Sequence, residues 1–506
     1  MLSLIGILGR NVFQMTVPGQ PAGSEALPQF TRLQLLELAG TTPEALVDLV
    51  LALQEQNRIL REQVISLEAR VQEIEERVAK NSRNSDKPPG SDGLAKPPAP
   101  KSLRTKSGRK RGGQPGHPGS SLQPVEKPDY IVIHQLDSCP CGRCAGCSLL
   151  DQPVISYEKR QVFDLPPIRL EVIEHQSEIK CCPYSGRQVL AEFPAGVGAP
   201  LQYGTHFAGL MVYLNQQQLL PFERLGQLCE DLFGSSVSVA TLQSANENAY
   251  TALAGFEARV VEGLVEAPVA HADESGLRVE GKLQWLHVVG NNRLTHYSVH
   301  PSRGGEAMDA ANILPRRTGW TIHDFWKSYF QYDCAHAVCN QHLLRELRFF
   351  AEEKKEQWAG SLMGLLYEFN TLSKTEPLLE ENTLEACHAR YRAILKTARL
   401  LHPRTPAAGK RVKQSKACNL LNRLEDYDQC VLAFLSNPEV PFTNNQAEQD
   451  IRMIKVKQKI SGAFRTLKGA RTFARIRGFF STARKQGRDL LTSITEALEG
   501  RAFVPT

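Results

Sequence analysis

The sequence predicts a multidomain α+β protein: an N-terminal coiled coil, a small zinc-ribbon-like module, a helical region and an α/β core split by a helical insertion. Three observations carry this. Apolar residues repeat every seven positions from Leu46 to Val78, six cysteines gather between Cys139 and Cys182, and the apolar period changes from helix to strand at Ala267. At 506 residues the chain is too long for one core, and length alone gives a prior of about three or four domains. The formal charge of +6 is modest, so its distribution matters more than its size.

Residues 1–42 receive no element. The apolar run Leu2 to Leu8 has no basic residue before it and is too short to span a bilayer, and no other stretch approaches a membrane span. A soluble, cytoplasmic protein without a membrane partner is therefore expected. Residues 43–79 read as a leucine zipper: Leu46, Leu53, Leu60, Leu67 and Ile74 fall seven apart, with Val50, Asn57, Val64, Val71 and Val78 four after each. Valine at a with leucine at d favours two strands, and Asn57 at one a position fixes register and parallel pairing. A homodimer through residues 46–78 follows, with Arg70 attracting Glu75 across it. Residues 80–122 are a basic disordered linker; from Lys80 to Gly119 there are seven Pro, seven Gly and ten Lys or Arg against two Asp.

The zinc-ribbon-like module spans residues 123–195. Cys139, Cys141, Cys144 and Cys147 form one knuckle and Cys181 and Cys182 begin a second, the arrangement by which tetrahedral zinc takes four thiolates from two turns. Serine stands at 185 where the second knuckle should end, so the fourth ligand is Cys181, an extra first-knuckle thiol, or absent. Residues 196–262 are helical and helix-turn-helix-like. Phe207, Leu210, Met211 and Leu214 share a face, Pro221 opens a second helix ending near Gly234, and a third follows Ser238. Any small bundle has this pattern, so structure is ranked ahead of DNA reading.

The first part of the core, residues 263–335, holds three strands joined by tight turns, with Asp273 at the end of the first, then a helix near Gly305 to Leu314 and a fourth strand ending in Asp324. Adjacent strand residues point to opposite faces, so Asp273 and Glu274 are not expected in one site. A helical insertion, residues 336–435, contains a basic loop with Lys410, Arg411 and Lys413. In the second part, residues 436–482, Thr443 and Gln446 fit a capping box that opens a helix. Ala447, Ile451 and Ile454 would face inward, leaving Glu448, Arg452, Lys455 and Lys459 as a stripe. From Ile451 to Arg477 there are nine bases and no acid in 27 residues, a phosphate-binding surface that includes Arg452, Lys455, Lys457, Lys459 and Arg465. Residues 483–506 complete the chain as a helix and tail.

Two strand-borne aspartates followed by a glutamate on a helix resemble the DDE arrangement of the ribonuclease H-like nucleotidyltransferases. Phosphodiester displacement by two magnesium (or manganese) ions needs hard oxygen ligands from several elements, and Asp273, Asp324 and Glu448 would supply them. The resemblance becomes specific in H-A-D-E-S-G-L-R-V-E-G-K-L-Q-W-L-H-V, in I-H-D-F-W-K-S-Y-F-Q-Y-D-C-A-H-A-V-C-N-Q-H-L-L-R-E-L, and in T-N-N-Q-A-E-Q-D-I-R-M-I-K-V-K-Q-K-I-S-G-A-F-R. These motifs resemble the insertion sequence sixty-six transposase family, over most of residues 44–490. That similarity implies a DDE transposase with a ribonuclease H-like catalytic core, Asp273, Asp324 and Glu448 as its magnesium ligands, and DNA (element ends and target) as partner and substrate. It further implies cleavage and strand transfer, a zinc-binding module and accessory proteins of the same element. Cys339 and His342 resemble a Cys-x-x-His pair found after the second aspartate in several DDE transposase groups. With His336 they suggest a metal site, but all three fall three apart in an expected helix, where a satisfied, partly buried surface is the stronger reading and His342 has a supporting role near the site. The rival readings are a non-catalytic dimeric DNA-binding regulator and a metal-dependent nuclease that never joins strands.

Overall fold

The computed structural model describes residues 31–80, 84, 122–141, 143–404 and 414–506. The basic tether and the loop cations Lys410, Arg411 and Lys413 lie outside the described residues. The chain divides at Lys80 into two units.

The first unit is helical: α1 (Arg32–Thr41) and the 37-residue α2 (Pro43–Ala79). Pro43 suits the first turn of α2, where its missing N–H has no helical partner to lose. The expected a and d residues Val50, Leu53, Leu60, Val64, Leu67, Val71 and Ile74 are all exposed, and Asn57 Nδ2 donates to Leu53 O at 3.2 Å. No described helix is long and apolar enough to cross a membrane.

The second unit opens with an exposed segment whose ladder is a hairpin of β1 (Ile179–Cys181) and β2 (Gln188–Leu190). Four helices follow, α3 (Thr205–Val212), α4 (Phe222–Phe233), α5 (Val239–Ala252) and α6 (Ala254–Glu266). The expected punctuation holds: Gly234 ends α4 in the left-handed region, and Ser238 Oγ caps α5 by accepting from Thr241 N at 3.1 Å. A fourth helix, α6, then runs past the expected boundary at 262 almost into the sheet.

The sheet contains β3 (Val269–Val279), β4 (Lys282–Gly290), β5 (Thr295–His300), β6 (Trp320–His323) and β7 (Ala335–Val338), in the order β5-β4-β3-β6-β7. Glu280 and Gly281, both at positive φ, make the two-residue turn between β3 and β4, the turn whose twist matches an antiparallel pair. β6 and β7 run parallel to β3. Between β5 and β6 lies α7 (Gly305–Ala311). The expected insertion boundary at 336 is corrected here: residues 335–338 pair with β6, so the insertion starts after β7. It contains α8 (Asn340–Arg348), α9 (Gln357–Thr375), α10 (Glu381–Leu401) and α11 (Lys416–Asp426), packed around Trp358, Leu366, Phe369, Tyr391 and Leu421.

The chain returns through α12 (Asn445–Ser461), α13 (Leu467–Lys485) and α14 (Leu490–Leu498). α13 spans the expected boundary at 482, because it is one continuous helix lying on β5; a Cβ at Gly478 would meet Thr295 O at 3.1 Å. Ile476, Phe479, Phe480 and Ile494 share one core with Leu253 and Phe256 of the helical region and Ala270 and Ala272 of β3. The helix-turn-helix-like region is thus part of the core.

A buried ion pair fastens α12 to this body. Lys485 Nζ lies 2.7 Å from Asp450 Oδ2, with side chains 12% and 8% exposed, and also donates to Asn291 O and Thr295 Oγ1. Breaking such a pair leaves one charge buried alone. Lys485→Met is expected to cost about 3–5 kcal/mol, and Asp450→Leu with Lys485→Met to recover much of that, read as the shift in urea denaturation midpoint.

Candidate active site

Asp273 is the fifth residue of β3 and lies in its interior, not at its end as expected. The expectation fails because β3 is unusually long. Its parallel ladder to β6 nevertheless stops at His271 opposite Ile322. Two places further in that register, Asp273 stands beside Asp324, the first residue beyond β6. Backbone amides orient both: Asp273 Oδ1 accepts from Glu274 N at 2.8 Å, and Asp324 Oδ1 from Trp326 N at 3.0 Å. Desolvation first, then the negative charges of Glu274 and Asp324, push the Asp273 carboxyl up to about 7. Desolvation and Glu274 push Asp324 in the same direction. The pair is short of positive charge, the condition a divalent cation would relieve.

The third acid arrives on α12, but its capping box is not formed. The N-cap is Asn444 rather than Thr443, it makes no capping bond, and Gln446 reaches Asp450 Oδ2 at 3.1 Å. Asn444 is 2% exposed and spends its polar atoms on the sheet. Its Nδ2 donates to Ala272 O at 2.8 Å, its Oδ1 pairs with His271 Nδ1 at 2.9 Å, and its N donates to Cys339 Sγ at 3.2 Å. A buried amide gains more from three partners than from capping one turn. The start of α12 is thereby tied to the two residues before Asp273. Ala447, Ile451 and Ile454 are buried as expected.

One turn on, Glu448 Oε1 is buried without a hydrogen-bond partner. Its carboxylate, Cys339 Sγ and a ring nitrogen of His342 lie within 4.8 Å of one another. His342 also acts electrostatically on Asp273 and Asp324, opposing in small part the upward push of burial and Glu274. His342 lies in the first turn of α8 as expected, but one helix does not hold all three: Cys339 is only its N-cap and His336 is on β7. His336 turns away to pair its Nδ1 with His323 Nε2 at 3.0 Å. Among the described residues the three carboxylates do not form one group within 4.8 Å. Two ions about 3.5–4 Å apart take a wider ring of ligands than one. An orphaned buried carboxylate oxygen and two charge-crowded aspartates suit that donor role.

Glu274 is the residue that strand alternation excluded. Its side chain is 1% exposed, held by Arg303 Nε and Nη2 at 2.8 and 2.6 Å and by Tyr329 OH at 2.6 Å. Arg303 stacks over Trp326 at 4.2 Å and Trp285 at 5.1 Å, and its Nη2 is 3.9 Å from Asp324 Oδ2. Opposite faces separate side chains, but a charge acts through the thickness of one strand. Nothing local in the sequence pairs Glu274 with a partner 29 residues away.

The cationic run divides. Arg452, Lys455, Lys459 and Arg465 are exposed, and Lys455 feels the charge of Asp273. Lys457 is half-buried over the Phe464 ring at 5.5 Å. Lys468 pairs with Glu247, Arg475 with Glu257, and buried Arg477 donates to Gln217. The run lacks acids because α5 and α6 supply them, so its C-terminal part is not the open phosphate surface expected.

At the first knuckle, Cys139, Cys144 and Cys147 bring their sulfurs within 4.8 Å of one another, and Cys141 Sγ lies 3.4 Å from Cys144 Sγ. The amide and thiol of Cys147 draw Cys144 down to about 6. Cys181 and Cys182 do not join this group among the described residues; Ser185 bonds to Cys182 instead and lowers its thiol. The cluster is therefore built from one loop, not from two turns.

The second unit thus joins a mixed α/β core to an acidic centre and a cationic helix. The family model for the Transposase IS66 family matches residues 200–472, and the chain belongs to that family. A family of unknown function, DUF6444, matches residues 31–123. No curated protein matches the chain.

The raised carboxyls make a pH test. Asp273 is protonated in the folded, metal-free chain up to about pH 7, whereas an unfolded aspartate loses its proton near pH 4. The folded state thus binds more protons between those values, and stability should fall as pH rises from about 4 to 7. Denaturation in EDTA should show that fall, flattened in Asp273→Asn.

Proposed function

We propose that the protein is a dimeric DDE transposase that binds the ends of an insertion element, cleaves DNA and joins a 3′ hydroxyl to target DNA. The observation that carries this is the buried, unpartnered Glu448 oxygen on a cationic helix whose first residue is preceded by Asn444, bonded to the strand that bears Asp273, in a chain where Asp273 and Asp324 are crowded by negative charge. Family membership supports the transposase reading. The mixed sheet, with Asp273 and Asp324 beside each other on neighbouring parallel strands, supports a ribonuclease H-like core interrupted by α8–α11.

In this reading Asp273, Asp324 and Glu448 hold two magnesium (or manganese) ions. When bound, such ions activate the attacking oxygen and stabilise the leaving one. The protein's own contribution is placement. Asn444 holds α12 against β3, Lys455 and Arg452 take flanking phosphate, and Lys459 and Arg465 extend that contact. Arg303 neutralises Glu274 and leaves the aspartates as the open carboxylates. Burial and Glu274 raise both aspartates, and the charge of His342 opposes that rise in part. The zipper pairs two such sites on DNA through residues 46–78, and zinc at the first knuckle orders the region between.

Asp273→Asn, Asp324→Asn and Glu448→Gln should each abolish magnesium-dependent cleavage and joining of element-end DNA. Retained joining in all three would overturn the assignment, whereas cleavage that never leads to joining would identify a nuclease, and DNA binding without either a regulator. Lys455→Ala should weaken DNA binding and reduce the salt slope by about one. Leu60→Asp with Leu67→Asp should convert the dimer to monomer in sedimentation.

A further inference from the structure

We infer that Cys339, His342 and Glu448 form a second kind of metal site, selective for a borderline-soft divalent cation of the zinc class, which shares Glu448 with the magnesium centre. The three potential ligand atoms lie within 4.8 Å of one another and come from two elements far apart in sequence. One thiol, one imidazole and one carboxylate is a donor set that zinc accepts, with a fourth position left for water. Magnesium, which takes oxygen and keeps near-ideal octahedral geometry, has no use for the thiol or the ring nitrogen.

The site is built. Cys339 is 1% exposed, its Sγ accepts the Asn444 amide, and its backbone N donates to His323 O at 2.9 Å. The backbone of Cys339 is thus fixed to β6 and its thiol accepts one bond from the start of α12. His342 follows in the first turn of α8, where its N donates to Cys339 O at 3.1 Å, so both donors belong to one rigid corner. Glu448 comes from α12, with Oε1 buried and unpartnered. Asn444 joins that corner to α12, since its amide bonds Cys339 four residues before Glu448.

The consequence is competition. An ion held by Cys339 and His342 takes Glu448 out of the set that Asp273 and Asp324 need, so a softer cation would silence the centre without touching DNA. This last step rests on the magnesium reading; the metal binding does not.

The test is metal content. The full-length chain is equilibrated with zinc, dialysed, and assayed for metal per chain, with circular dichroism to check folding. Cys339→Ala should lose one equivalent relative to the unaltered chain, and Glu448→Gln should bind that equivalent at least about tenfold more weakly. Asp273→Asn should keep it. Cobalt replacing zinc reports the same site by its thiolate absorption band, in a chain whose first knuckle is removed by Cys139→Ala with Cys144→Ala. Loss of the band in Cys339→Ala and in His342→Gln supports the site. Unchanged zinc content in Cys339→Ala and Glu448→Gln, or no cobalt band in the knuckle-free chain, overturns it. Should the three carboxylates prove unnecessary for strand chemistry while zinc content still depends on Cys339 and Glu448, only the magnesium reading falls.

Discussion

A single buried amide governs the geometry. Asn444 bonds the carbonyl of Ala272, the ring of His271 and the sulfur of Cys339, and it is the residue from which α12 departs. Three elements separated by up to 173 residues are thus pinned at one residue, β3 by its side chain and Cys339 by its backbone N. An Asn left without these partners would bury unsatisfied donors and acceptors, costing about 1–3 kcal/mol for each group. The arrangement therefore tolerates little slippage of the Glu448 helix along the sheet. Asp450 and Lys485 hold the next turn in the same way, by a charge pair.

Around that pin, acids are more numerous than cations. Asp273, Glu274 and Asp324 interact with one another through the end of the β3–β6 ladder, and Arg303 is the cation in hydrogen-bond contact with Glu274. Arg303 is also stacked between two indoles, which limits its freedom to follow a substrate. The net shortage of positive charge lies on the Asp273 and Asp324 side. On the other side, α12 turns exposed Arg452, Lys455 and Lys459 outward.

Much of this was legible in the sequence because local rules suffice for it. The strands around Asp273, the αL glycine after α4, the Ser238 cap and the inward face Ala447–Ile451–Ile454 all follow from periodicity and turn chemistry. What was not legible depends on partners distant in sequence. Thr443 and Gln446 satisfy a capping pattern, yet Asn444 bonds residues 172 and 105 positions away. His336 lies at helical spacing from Cys339 and His342, but β6 captures residues 335–338 as a strand. Arg475 and Arg477 read as phosphate ligands only while Glu257 and Gln217 are out of sight.

The early end of the β3–β6 ladder has a further consequence. Beyond His271, β3 presents a bare edge, the kind of surface that recruits foreign strands. That edge is occupied: Gln458 donates to Gly276 O, Phe464 N donates to Arg278 O, and Glu280 N donates to Phe464 O. Gln458 of α12 and Phe464 just beyond that helix are thus also the guard of the sheet. A change that loosens α12 and the turn after it would uncover a template for self-association beside the acidic centre.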